Sequence, residues 1–91
     1  MHSKNSATHA IRAILELDPS AVMRVLHHFQ VRNVVPHRIS AQRVGADYIQ
    51  IDVEVQGLTH ETARGIVAKI RATPTTLVAV LCDPPQEQEL I

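Results

Sequence analysis

YIQIDVEVQGLTHETARGIVAKIRATP, residues 48–74, carries two periodicities in succession, and that succession decides the fold. From Tyr48 to Gln56 the apolar residues Ile49, Ile51, Val53 and Val55 alternate with Gln50, Asp52 and Glu54. A period of two is the signature of a strand with one buried and one wet face. Gly57-Leu58 breaks the strand. Thr59 then offers a helix cap, and Glu61 stands in the first turn, where the helix dipole favours negative charge. Ala63, Ile66, Val67 and Ile70 follow at the i, i+3, i+4, i+7 spacing of a buried helical stripe, and Pro74 closes the element.

The same grammar extends outward in both directions. Gly45-Ala46-Asp47 supplies a tight turn into a preceding strand, VVPHRISAQRV, residues 34–44. Pro36 cannot donate a ladder hydrogen bond and so predicts an edge strand or a strand start. Before that strand, Asp18 is expected to cap a helix with Pro19 at its first position. Val22, Val25, Leu26 and Phe29 form its stripe, and Asn33 suits a left-handed end. HAIRAILEL, residues 9–17, reads as a first strand with Ile11, Ala13, Leu15 and Leu17 on one face. After Pro74, TTLVAVLC, residues 75–82, reads as a last strand, ended by Asp83-Pro84-Pro85. Residues 1–8 and 84–91 read as polar tails around a single domain, 9–83.

The order is β-α-β-β-α-β. It predicts an α+β, ferredoxin-like sandwich: a four-stranded antiparallel sheet in the order 4-1-3-2, with two helices on one face. Strands 2 and 4 then form the edges.

Composition removes several function classes. The chain has 91 residues, 45% hydrophobic and 20% charged, with nine Lys and Arg against nine Asp and Glu. One domain is the ceiling. A nucleic-acid binder usually carries a positive surplus and several stacking aromatics. Here the net charge is zero and the aromatics are Phe29 and Tyr48. No apolar run is long enough to span a membrane. The lone cysteine, Cys82, forms no internal disulfide and predicts a reducing, cytoplasmic setting.

No catalytic constellation emerges. Cys82 sits in an apolar strand, where a thiol behaves as a small hydrophobe. No Gly-x-Ser-x-Gly elbow, phosphate loop or dinucleotide fingerprint occurs, and the three glycines are scattered. The six histidines lack zinc-helix spacing, and Cys-x-x-Cys is absent. Neither an enzyme, a metal nor a cofactor is therefore expected. What remains is recognition by backbone and shape. The loop before the first helix offers N–H groups suited to a carboxylate. Asp18 beside it suits an ammonium group or, alternatively, is only a cap.

The stretch LDPSAVMRVLHHFQVRNVVPHRISAQR carries a family resemblance. Asp18, Ser20-Ala21, Val22-Met23-Arg24-Val25, Phe29 and Arg32-Asn33 resemble the pattern of an ACT domain, the small regulatory module of amino-acid metabolism. The resemblance covers Ile14 to Leu81. Within that family it resembles the small regulatory subunits of acetolactate synthase. It implies a non-catalytic regulatory domain acting on a biosynthetic enzyme, with an amino-acid effector and a homodimer, paired edge to edge or sheet to sheet. The implied effector residues are Asp18, Ser20, Ala21, Asn33, Val35 and Pro36, shared across a dimer interface. The chain departs from the pattern at Ser20 and Asn33, where Gly is common, and at Val35-Pro36, where an Asn is common.

Two partner classes follow from the resemblance: a large catalytic subunit and an amino-acid effector. The alternative is a free-standing ACT-like sensor or a purely structural dimerisation module. A small enzyme of ferredoxin-like fold would need a reactive constellation that the sequence does not contain.

Overall fold

The computed structural model describes residues 8–82; the expected tails, 1–8 and 84–91, lie outside the described residues except Thr8, which begins the first strand. Its elements are β1 (Thr8–Glu16), α1 (Ala21–Gln30), β2 (Arg38–Val44), β3 (Tyr48–Gln56), α2 (His60–Arg71) and β4 (Thr76–Cys82). All strand pairs are antiparallel, and the order is β2-β3-β1-β4, the expected arrangement.

The core lies between the helices and one face of the sheet. Ile11, Ala13 and Leu15 of β1 and Ile51, Val53 and Val55 of β3 are buried, as alternation requires. Ala21, Val25 and Phe29 of α1 meet them, with Ile66, Val67 and Ile70 of α2, and Ala63 is buried on the same helix. Two stripes at helical spacing thus close over one apolar sheet face.

β1 begins at Thr8 rather than residue 9 and β4 at Thr76 rather than residue 75, and three further ends differ from expectation for a visible reason. β1 stops at Glu16, so Leu17 leaves the ladder and is 42% exposed. Its N–H donates instead to the carbonyl of Asp47 at 2.9 Å. The first helix begins at Ala21, with Ser20 and not Asp18 in the cap position. The Asp18 carbonyl accepts the Ala21 N–H at 2.9 Å, a turn enclosing Pro19 and Ser20, and the Asp18 carboxylate accepts the Ser20 hydroxyl at 2.8 Å. The local turn satisfies Asp18 before the helix starts, so its side chain caps nothing.

The third difference is β2, which begins at Arg38 rather than at residue 34. Asn33 has φ 62°, as its role at a left-handed helix end requires. The Asn33 N–H returns to Gln30 and the Val34 N–H to Phe29, each at 2.9 Å. This is a Schellman motif, and it holds Val34 to the helix instead of the sheet. Pro36 has no N–H to give, and pairing starts only after His37 N–H reaches Glu54 at 2.7 Å. Thr59 caps α2 as expected, its hydroxyl accepting the Thr62 N–H at 3.1 Å.

Candidate functional site

The six residues that the family resemblance marks fall into two groups. Asp18, Ser20 and Ala21 lie at the N-terminal end of α1, and Asn33, Val35 and Pro36 lie beyond its C-terminal end. A helix of ten residues is about 15 Å long. One chain does not bring the two groups together.

At the first group, Ser20 makes no side-chain cap, so the first N–H groups of α1 have no side-chain acceptor at the cap. The Asp18 carboxylate holds the Ser20 hydroxyl and stands 3.7 Å from an Arg24 guanidinium nitrogen. Ala21 is fully buried in the core, so only its backbone faces the loop.

The second group lines a cavity of about 240 Å³ with Leu26, Phe29, Val34 and Ile39. Gln30 lines it too, and none of these five residues was among the expected set. Their signal was present: Leu26 and Phe29 continue the α1 stripe towards the chain's entry into β2. Val35 is 87% exposed and sits at the mouth. The cavity abuts β2, an edge strand whose seven residues are all exposed.

Two hydrogen bonds relate these ends to β2. Leu17 N–H to Asp47 ties the loop before α1 to the β2–β3 turn, beyond Val44. His37 N–H to Glu54 ties the chain after Pro36 to the opposite end of β3. The first group therefore neighbours the end of β2, and the second neighbours its start.

The other surfaces carry different chemistry. On the sheet face away from the helices, Arg12 Nε donates to Asp52 at 2.7 Å. That hydrogen bond, and then the carboxylate's charge, raises the Arg12 pKa above its ordinary value. Beside it, Ile14 pairs with Val78, and Val80 pairs with Arg12, so an apolar strip runs along β1 and β4. β4 is the other edge strand, and there the Arg71 guanidinium donates to the Ala79 carbonyl at 2.8 Å. A groove of about 1120 Å³ runs between α2 and β4, past His60, Glu61, Arg64 and Arg71, and contains none of the expected residues. Among the described residues no group of three or more His, Cys, Asp or Glu side chains is arranged to hold a metal ion. No helix among them is long and apolar enough to cross a membrane.

A family model described as an ACT-like domain matches residues 2–85. No curated protein matches the sequence. Solved structures share the fold at low identity. The C-terminal domain of the MgtC protein from Mycobacterium tuberculosis has a TM-score of 0.73 at 16% identity, over 94% of this chain and 96% of that one. The ACT domain of GTP pyrophosphokinase from Chlorobium tepidum has 0.75 at 7%, over 91% and 93%. The regulatory subunit of aspartate kinase from Thermus thermophilus has 0.68 at 18%, over 84% of this chain but 50% of that one.

Proposed function

The chain belongs to the ACT-like domain family, and we propose that it is a non-catalytic regulatory domain of amino-acid metabolism, working as a homodimer that binds an amino-acid effector or a catalytic subunit. The observation that carries this reading is the placement of the two half-sites relative to the open β2 edge. An edge strand with unpaired N–H and C=O groups is a template for another strand. Antiparallel pairing of two β2 strands sets the end of one beside the start of the other. The Asp18–Ser20 loop of one copy then approaches Asn33, Val35 and Pro36 of its partner.

The chemistry of such a shared site suits a free amino acid. The N–H groups at the start of α1 fit a carboxylate. Asp18 fits an ammonium group, once it gives up Ser20 or Arg24. The apolar cavity beside Asn33 fits an aliphatic side chain. That the fold recurs in a protein named as the regulatory subunit of aspartate kinase supports the regulatory sense. The finer reading, a small subunit of acetolactate synthase, rests on the loop and helix pattern from Asp18 to Asn33 alone.

Asp18 already engaged by Ser20 and Arg24 favours a second reading, a dimerisation module without an effector. Sedimentation and thermal unfolding with each amino acid in millimolar excess separate the two. A ligand at 100 times its Kd adds about 2.7 kcal/mol, which is several degrees for a chain of this size. A dimer with a selective shift supports the effector site, and a dimer without one supports the module. A monomer at high concentration with no shift overturns both.

A further inference from the structure

Charge is unevenly placed along this chain. Residues 83–91, DPPQEQELI, carry Asp83, Glu87 and Glu89 and no basic residue, although the whole chain is neutral. The ACT-like family match ends at residue 85, so QEQELI, residues 86–91, lies outside the part that the family shares. An acidic segment with an apolar Leu90-Ile91 pair therefore follows β4.

The groove between α2 and β4 has the opposite character. One side of α2 lines it, from His60 through Arg64 and Ala68 to Arg71, and Val80 and Leu81 line it from β4. Arg64, Ala68 and Arg71 are spaced four and three apart, so they stand in one row along the helix. The one acid lining the groove is Glu61, in the first turn of α2. Among the described residues neither Arg64 nor Arg71 has a carboxylate within ion-pair distance. Arg71 gives its Nε–H to the Ala79 carbonyl at 2.8 Å, which holds its guanidinium towards β4.

The topology delivers the acidic segment to this groove. Cys82 is opposite Ala10 in the ladder and Thr8 is opposite Gln56, so β4 finishes at the sheet end where β3 hands over to α2. The His9 and His60 rings, with centroids 5.9 Å apart, put the start of α2 over that same end. β4 thus ends beside the His60 end of the groove. From His60 to Arg71 the helix rises about 16 Å. Residues 83–91 can reach about 30 Å when extended, enough to run the groove's length with Asp83-Pro84-Pro85 as the turn into it.

We propose that residues 86–91 of the same chain dock in the groove between α2 and β4, with Glu87 and Glu89 facing the Arg64–Arg71 row. Acids two apart on an extended chain share one side and stand about 7 Å apart. Two arginines separated by about 10 Å along a helix axis can reach both. Leu90 falls on the other side of the extended segment and faces Val80 of β4, which adds an apolar contribution to the ion pairs. The docked segment covers the β4 side of the molecule and leaves β2 open, so the proposal does not rest on the effector site or on the β2 pairing.

The test places a nitroxide on the segment without touching its acids. Gln88→Cys combined with Cys82→Ser gives one labelling site in the full chain, and amide NMR reads which residues are broadened. Selective broadening of Gly65, Ala68 and Val80 is expected, with Gln42 on β2 sharp. Arg64→Gln, and separately Glu87→Gln with Glu89→Gln, should each shift the docking equilibrium towards the open form by about two- to fivefold. Arg43→Gln on β2 should leave it unchanged. The amide spectrum of each unlabelled variant checks its fold. Broadening spread evenly over the surface, or absent from α2, would overturn the proposal, as would a docked fraction indifferent to both sets of variants. In a mixture of nitrogen-15 chains without nitroxide and nitroxide chains without nitrogen-15, the groove signals should stay sharp. Broadening there would mean that a second copy's segment fills the groove, and would overturn the intrachain form.

Discussion

Arg71, near the end of α2, donates its Nε–H to the carbonyl of Ala79 in the edge strand β4 at 2.8 Å. The two sheet edges therefore differ. One edge-strand carbonyl on β4 already has a partner from the helical layer, whereas β2 is exposed along its whole length. Removing the donor leaves a partly buried carbonyl without that partner. Arg71→Ala should lower stability by about 1–2 kcal/mol, read as a lower urea midpoint, and Arg71→Lys should recover only part of it because the planar fork is lost.

Phe29 is the largest of the fully buried side chains and touches both the core and the cavity beside β2. Phe29→Ala should cost about 3–5 kcal/mol. For a domain whose total is about 5–15 kcal/mol, thermal melting should show a collapse of the midpoint or no cooperative transition. Phe29→Leu should cost less and keep the fold.

Asn33 holds φ 62° at the end of α1. Asn33→Gly should be neutral or stabilising by up to about 1 kcal/mol, because glycine has no Cβ to strain. Asn33→Val should destabilise by more than about 1 kcal/mol. Chemical denaturation of the pair decides it, and equal midpoints would mean that the helix end relaxes.

His28 has a lowered pKa, caused first by burial and then by His27, Lys69 and Arg32. In the window below the ordinary histidine value near 6.5, the unfolded chain binds the proton more readily than the folded one. The His28 contribution to stability is therefore whole above that value and is lost as pH falls through the folded-state value. Urea midpoints between pH 7.5 and 5 should fall for the native chain and fall less steeply for His28→Gln.

Arg12 and Asp52 form an exposed ion pair on the open sheet face. Exposed pairs are strongly screened. Asp52→Asn should cost little at low salt, and the difference should vanish in about 1 M NaCl, as followed by thermal melting.

The alternation of Tyr48–Gln56 was legible because strand burial repeats every second residue, and Ile51, Val53 and Val55 are buried as read, with Ile49 partly buried on the same face. The α2 stripe and the Thr59 cap were legible for the same local reason. The starts of α1 and β2 were misread because competing local hydrogen bonds occupied the residues concerned. Asp18 was taken by its own turn and Val34 by the helix end. The candidate site was legible as residue types only. Asp18 before α1 and Asn33 beyond it follow from the helix spacing, and one copy of the chain keeps them at opposite ends of α1.

The sequence by itself determined the six elements, their order and the faces they bury, since these follow from periodicity and caps, which act over a few residues. Only the tertiary structure decided which residues meet: His28 with Thr73, Arg32 with Gly65, Leu17 with Asp47, Arg71 with Ala79. Those contacts join segments of the chain through the packing of helix on helix and helix on sheet, and a local pattern carries no information about which side chains that packing sets opposite one another.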